Sequence, residues 1–106
     1  MRAIIISLFI FSATSGISQS VQELVKQANE LEKEKKYNEA IELYNKILKL
    51  DTAHYYSYVS RGLLFDKLDK IENAFDDYTK AIAVHSDSAL AYHCRAILLY
   101  RMTMTY

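Results

Sequence analysis

Two neighbouring residues, His93 and Cys94, are the first candidates for a catalytic or metal-binding role in this chain. Together they would supply either a thiolate beside a base or two ligands for a metal ion. Neighbours on a helix point about a quarter-turn or more apart, and the chain has no second Cys and no paired His at metal-ligand spacing. We therefore interpret the pair as surface-lining or partly buried, and predict no catalytic residue, no metal site and no cofactor.

A second candidate is an acidic group made of Glu72, Asp76, Asp77 and Asp87. It follows no calcium-loop spacing and lacks the central Gly that such a loop requires. A solvated surface explains it better. The sequence also contains no Gly-rich phosphate loop, no nucleophile elbow and no haem-attachment motif. We predict that the protein is not an enzyme.

The composition favours one helical domain and gives no indication of a nucleic-acid partner. The 106 residues include 13 Lys and Arg against 13 Asp and Glu, so no global field attracts the chain to an anionic polymer. Pro is absent, Gly occurs twice, and 51% of residues are apolar, which favours uninterrupted helix over turn-rich sheet. The single Cys cannot form an internal disulfide.

The first 18 residues have the layout of a secretory signal peptide. Met1 and Arg2 form a basic start, Ala3 to Phe11 an apolar run, and Ser12 to Ser18 a stretch of mostly small residues. An uncleaved anchor is the alternative, but a membrane span needs roughly 20 apolar residues and this run is about half that. We predict cleavage before Gln19, no stable membrane span afterwards, and an exported protein, periplasmic or secreted.

The remaining chain repeats itself. Val21 to His54 returns 34 positions later as Tyr55 to Ser88, and a partial third copy begins at Ala89. Small and aromatic residues keep their places: Ala28, Ala40 and Tyr44 fall on Gly62, Ala74 and Tyr78, and Ala96 again occupies the place of Ala28. A period of this length with small residues at fixed places predicts stacked helical hairpins.

Five helices are expected from the apolar periodicity. Ser20 and Glu23 form a capping box that starts the first helix at Val21, and Thr52 is the predicted cap of the third. The other predicted helical stretches are Asn38 to Leu50, Tyr55 to Phe65, Glu72 to Val84 and Ala89 to Met102. The apolar set of the second helix is Ala40, Ile41, Tyr44, Ile47, Leu48 and Leu50. The fifth helix presents Tyr92, Ala96, Leu99 and Met102, and we expect no sixth helix to pair with them.

This pattern resembles the tetratricopeptide repeat (TPR) family. Three family positions, the fourth, eighth and eleventh, are matched in all three copies: by Leu24, Ala28 and Leu31 in the first, by Tyr58, Gly62 and Phe65 in the second, and by Tyr92, Ala96 and Leu99 in the third. The twentieth and twenty-fourth positions are matched by Ala40 and Tyr44 in the first copy and by Ala74 and Tyr78 in the second. The family's repeat-end Pro is replaced by Thr52 and Ser86, and its small twenty-seventh residue by Ile47. The resemblance implies an all-α, right-handed solenoid of antiparallel hairpins, with repeats 21–54 and 55–88 and a partial repeat 89–106: two full repeats plus one extra helix.

The resemblance also implies a concave groove lined by the first helix of each repeat. The partner-binding residues expected there are Val25, Lys26, Asn29, Lys33, Tyr56, Val59, Ser60, Leu63, Lys67, Leu90, His93, Ile97 and Arg101. One subset of the family clamps a C-terminal carboxylate with Lys, Asn, Asn, Lys and Arg. The corresponding positions here hold Val25, Asn29, Ser60, Leu90 and Cys94, of which only Asn29 fits.

Two functional hypotheses follow. The first is an interaction module that binds a peptide or protein segment in the groove, without catalysis. The second is an incomplete array with a structural role, which assembles through its exposed last helix, 89–102, either by self-association as a homo-oligomer or by docking on another chain.

Overall fold

The computed structural model of this protein describes residues 19–105, which form five α-helices joined by short turns. The helices are α1 (Val21–Lys33), α2 (Tyr37–Leu50), α3 (Tyr55–Lys67), α4 (Ile71–Val84) and α5 (Ala89–Thr105). Each helix packs against the next one along the chain. The described residues contain no strand, so this part of the chain is an all-α array of paired helices, as the repeat predicts. The predicted signal peptide, residues 1–18, lies outside the described residues.

Side-chain caps start α1, α3 and α5, whereas α2 and α4 begin without a side-chain cap hydrogen bond. Ser20 Oγ accepts a hydrogen bond from the Glu23 amide at 3.1 Å, so this half of the predicted capping box is confirmed. The predicted Thr52 cap of α3 is wrong, because His54 Nδ1 accepts from the Ser57 amide at 3.3 Å instead. At α5, Ser88 Oγ accepts from the Ala91 amide at 3.3 Å.

The turn inside each hairpin has the same backbone geometry. Lys35 and Asp69 both lie in the left-handed region with φ of 61°. Around Lys35, the amide of Lys36 donates to the Leu31 carbonyl at 2.8 Å, and an equivalent bond joins Lys70 to Phe65. This is the Schellman arrangement, which usually places Gly at the left-handed residue. Both hairpins therefore end their first helix in an energetically costly conformation.

The core follows the repeat register. Ala28, Ala40 and Tyr44 are fully buried in one cluster, as expected for a close hairpin approach. In the second repeat, a Cβ added at Gly62 would lie 2.6 Å from Cε1 of the buried Tyr78 ring. Gly in the middle of a helix costs about 1 kcal/mol relative to Ala. Here the close approach of Tyr78 supplies the packing reason for it.

Parts of the predicted apolar faces of α2 and α5 are exposed, in α5 as expected for a helix that has no sixth helix beside it in the described residues. Leu50, at the end of α2, is 63% exposed because the chain turns away directly after it. In α5 the buried residues are Ala91 and Leu98, whereas Tyr92, Ala96 and Leu99 are exposed. Their counterparts in α1 and α3 face the second helix of their own hairpin, and no described helix occupies that place beside α5.

None of the helices in residues 19–105 combines the length and the hydropathy that a membrane crossing requires.

Candidate functional site

The first helices of successive repeats, α1, α3 and α5, are joined side by side through polar contacts. The Tyr56 hydroxyl of α3 donates to Asn29 Oδ1 of α1 at 2.9 Å. Arg101 of α5 donates from Nη1 to Oδ1 of Asp66 in α3 at 2.5 Å. We call the surface formed by these three helices the first-helix row.

Most of the predicted groove residues lie at least partly exposed on this row. The accessible ones are Val25, Lys26, Asn29, Lys33, Tyr56, Leu63, Lys67, Leu90, His93, Ile97 and Arg101. Val59 and Ser60 are different, being only 4% and 7% exposed. Val59 packs with Ala81 and Ala91. These two predicted positions therefore stabilise the junction between repeats and offer little surface to a partner.

A polar network supports the row between α1 and α3. The single proton of the buried Tyr44 hydroxyl is shared between two acceptors, a carboxylate oxygen of Glu32 and, at 3.2 Å, Asn29 Oδ1. Burial, then the bond to Glu32, raises the pKa of Tyr44 above its ordinary range. Because Asn29 Oδ1 accepts from both Tyr44 and Tyr56, its side chain is fixed in orientation.

The second repeat lacks this network. The Tyr78 hydroxyl is buried without a hydrogen-bond partner among the described residues. The repeat places Leu63 where Asn29 stands and Asp66 where Glu32 stands. Leu63 has no acceptor, and the shorter Asp66 pairs with Arg101 instead. Burial raises the pKa of Tyr78 above its ordinary range.

The exposed surface of the row combines apolar side chains with cations. Leu63, Leu90 and Ile97 are 40%, 53% and 45% exposed, far more than core residues. Lys26 and Lys33 are exposed on α1, and Lys67 on α3 lies with Nζ 5.2 Å from the Tyr37 ring centroid. Such a surface fits a ligand with both apolar and acidic groups. A separate cleft, lined by Asn38, Glu39, Ile41, Glu42, Asn45, Phe65 and Lys70, includes none of the predicted partner-binding residues.

The geometry around His93 and Cys94 offers no support for nucleophilic chemistry. His93 is exposed and Cys94 is half-buried. Burial, with a smaller contribution from the nearby Asp66 carboxylate, raises the pKa of the Cys94 thiol. A nucleophilic Cys needs a lowered pKa. Among the described residues, no three His, Cys, Asp or Glu side chains converge as metal ligands.

Sequence reasoning missed a buried ion pair that joins three helices. Arg61 of α3 donates from Nε and Nη2 to the two carboxylate oxygens of Asp77 in α4, at 2.8 and 2.7 Å. Its Nη1 donates to Asn45 Oδ1 of α2 at 2.7 Å. Burial raises the pKa of the Asp77 carboxyl, while the bonds from Arg61 oppose that shift.

This pair corrects one interpretation of the acidic group. Asp77 is 1% exposed and therefore does not belong to a solvated surface. Asp76 and Asp87 are exposed, and they pair with Lys80 at 3.0 Å and with His85 at 2.7 Å. Arg61 and Asp77 lie sixteen residues apart on different helices, so their charges meet only because the hairpin packs α3 against α4.

Comparison with known proteins gives the family. The profile of the Tetratricopeptide repeat family matches residues 24–54 and 55–88, together more than half of the chain. Sperm-associated antigen 1 from Mus musculus is 33% identical over 76 residues, which are 72% of this chain and 8% of that protein. The STIP1 homolog protein of Dictyostelium discoideum is 29% identical over 85 residues, 80% of this chain and 15% of that protein. The chain thus spans less than a fifth of either relative.

Solved structures agree with the profile. The second TPR of Spaghetti (RPAP3), bound to the HSP90 peptide SRMEEVD, has a TM-score of 0.75 and 25% identity, covering 87% of this chain and 85% of that one. The first TPR of the same protein, bound to the same peptide, has a TM-score of 0.75 and 27% identity, covering 80% and 68%. The fold, the repeat register and the profile together establish that this chain belongs to the tetratricopeptide repeat family.

Proposed function

We propose that this protein binds an extended peptide or protein segment along the first-helix row and performs no catalysis. The observation that carries the proposal is the composition of that surface. Leu63, Leu90 and Ile97 are exposed between cations, on helices held side by side by the contacts of Asn29 and Asp66. Exposed apolar side chains grouped on one face of a rigid scaffold are typical of a partner-binding surface.

The partner that fits this surface is a segment with apolar side chains next to acidic ones. Lys26, Lys33 and Lys67 attract carboxylates, while Leu63 and Ile97 offer apolar contact. The related TPR domains that were solved with the acidic peptide SRMEEVD support a peptide-binding role for this fold.

Recognition of a C-terminal carboxylate in the manner of the clamp subset does not fit these residues. Val25 and Leu90 have no donor at two of the five clamp positions, and Ser60 at a third is 7% exposed. Asn29 is the one match, and with its Oδ1 occupied by Tyr44 and Tyr56 only its Nδ2 can donate to a carboxylate. We therefore expect SRMEEVD to bind this chain at least about tenfold more weakly than a peptide selected for it, because at least one charge-assisted hydrogen bond is lost.

The proposal is tested with peptides selected from a random displayed library on the 106-residue chain. Fluorescence anisotropy then compares the wild type with Leu63→Glu, which puts a charge in the middle of the row. Leu50→Glu is the matched control, since Leu50 is exposed on α2 and outside the row. Binding at least roughly tenfold weaker in Leu63→Glu alone is expected. Equal affinities of Leu63→Glu and wild type would count against the proposal.

A second candidate role is assembly through α5. The observation that favours it is the exposure of Tyr92, Ala96 and Leu99, three positions whose counterparts in α3 pack against α4. Sedimentation of the chain over a range of concentrations, compared with Ala96→Glu, tests this role for self-association. If both proteins sediment as monomers at all concentrations, self-association is excluded, and α5 could then act only by docking on a different protein.

Export also remains a proposal, supported by the basic, apolar and small-residue order of residues 1–18. Mass spectrometry of the protein recovered from expressing cells tests it. We expect the mature protein to start at Gln19. A chain that retains its first 18 residues and stays inside the cell would contradict the proposal.

A further inference from the structure

The outer face of α5, formed by Tyr92, Arg95, Ala96 and Leu99, has an internal template in the preceding repeat. The same repeat positions in α3 are Tyr58, Arg61, Gly62 and Phe65. Arg61 binds Asp77 of α4, Gly62 lies against Tyr78, and Tyr58 and Phe65 pack against clusters that include α4 residues. The side chains with which α4 contacts α3 thus indicate which side chains a helix needs in order to pack against α5.

Arg95 is held in the same way as Arg61. Arg61 donates to Asn45 on the preceding second helix, and Arg95 donates from Nη1 to Thr79 Oγ1, the same position one repeat later, at 3.4 Å. Each guanidinium also lies over the Tyr three residues before it, 5.9 Å from the Tyr58 centroid for Arg61 and 5.6 Å from the Tyr92 centroid for Arg95.

The two arginines differ in whether a carboxylate pairs with them. Arg61 is bound by both oxygens of Asp77, whereas no ion pair within residues 19–104 includes Arg95. In both complete hairpins the small residue at the next position lies near a tyrosine: Gly62 lies against Tyr78, and Ala28, the equivalent in α1, shares the first core with Tyr44. Ala96 is an alanine like Ala28, so it has room for a tyrosine ring placed as Tyr44 is placed, and Arg95 is oriented for a carboxylate beside it.

We propose that the outer face of α5 binds a helix from another protein chain in which an acidic residue directly precedes a tyrosine, as Asp77 precedes Tyr78 in α4. The carboxylate pairs with Arg95 and the ring covers Ala96 between Tyr92 and Leu99. This inference rests on the second candidate role, assembly through α5, and names the chemistry of its partner.

A second copy of this chain fits the face poorly. Residues Ala89–Thr105 contain no Asp or Glu, so two α5 helices packed together would leave each Arg95 without a carboxylate. The one Asp-Tyr pair of the described helices, Asp77 and Tyr78, is buried in its own hairpin. We therefore assign the acidic residue to a partner of different sequence.

The test uses a synthetic peptide with the sequence of α4, IENAFDDYTKAIAV, blocked at both ends and carrying a fluorophore. Anisotropy measures its affinity for the 106-residue chain and for two variants. Ala96→Glu lies in the outer face, and Leu50→Glu, on the exposed end of α2 away from α5, is the matched control. We expect Ala96→Glu to abolish binding and Leu50→Glu to leave it unchanged.

The role of the carboxylate is tested in the peptide. Asp77→Asn should weaken binding at least about tenfold, because a charge-assisted pair is lost. A peptide with Asp77→Arg should bind an Arg95→Glu protein better than it binds the wild type, which a merely structural role of Arg95 would not produce. Circular dichroism confirms that each protein variant stays folded.

Three results would overturn the inference in distinguishable ways. Equal binding of the Asp77→Asn peptide would remove the acidic requirement and leave docking on α5 intact. No peptide binding, with a dimer that Ala96→Glu disrupts, would identify a second copy as the occupant. No binding and no dimer would remove the second candidate role as well.

Discussion

Tyr44 and Tyr78 occupy the same repeat position, but their hydroxyl groups have different surroundings. Tyr44 is bound by Asn29 and Glu32, and Tyr78 is buried without a partner in the described part of the chain. The sequence shows both as core aromatics at the same position. It does not show the difference, because that depends on whether an acceptor side chain reaches the hydroxyl, and Asp66 is one methylene shorter than Glu32.

Replacing each tyrosine by phenylalanine should therefore have opposite effects. Tyr44→Phe should lower the free energy of unfolding by about 1–2 kcal/mol, because Glu32 loses its donor. Tyr78→Phe should leave it unchanged or raise it by up to about 1 kcal/mol, since an unsatisfied buried hydroxyl is removed. Urea unfolding of both variants measures this. Equal losses of stability would show that the two hydroxyls are equivalent after all.

Gly62 gives a second prediction for a single residue. Ala has the higher helix propensity by about 1 kcal/mol, yet Gly62→Ala should lower the free energy of unfolding by about 1 kcal/mol or more, because the new Cβ overlaps the Tyr78 ring. Thermal unfolding is the measurement. Repeating the substitution in a Tyr78→Leu background should remove the penalty. A Gly62→Ala variant more stable than the wild type would contradict the close packing.

At the scale of helices and turns, periodicity predicted the elements well. Asn38 to Leu50 was expected for the helix that runs Tyr37–Leu50, and Glu72 to Val84 for Ile71–Val84. Periodicity succeeds because burial of one helix face sets the register. The cap of α3 could not be predicted in the same way, because a histidine ring at position 54 replaces the usual hydroxyl or carboxylate.

The two hairpin turns provide a test at this scale. Lys35→Gly and Asp69→Gly should each raise the free energy of unfolding by about 1 kcal/mol, because both residues have φ of 61°, where an L side chain is strained. Lys70→Gly is the control: at φ of −95° glycine relieves no strain and should lower stability by about 0.5–1 kcal/mol. Stability lowered by all three substitutions would argue against strain in the turns. Urea unfolding at one pH compares them.

At the scale of the whole molecule, the family register predicted which helices share a surface but not which side chains stay accessible. Eleven of the expected partner-binding positions keep some exposure, whereas Val59 and Ser60 are covered. Val59 is covered because Ala81 and Ala91, on two other helices, pack against it. The Arg61–Asp77 pair could not be predicted either, because its burial also depends on contacts between helices. Each charge alone is typical of a solvated helix surface.

The central claim concerns the whole molecule: the first-helix row is the surface that binds a peptide. An NMR titration of the isotopically labelled chain with a library-selected peptide tests it most directly. We expect the largest shift changes at Asn29, Leu63 and Ile97, on α1, α3 and α5, with little change at Leu50 on α2. Changes confined to α2 and α4, with the first-helix row unaffected, would contradict the account.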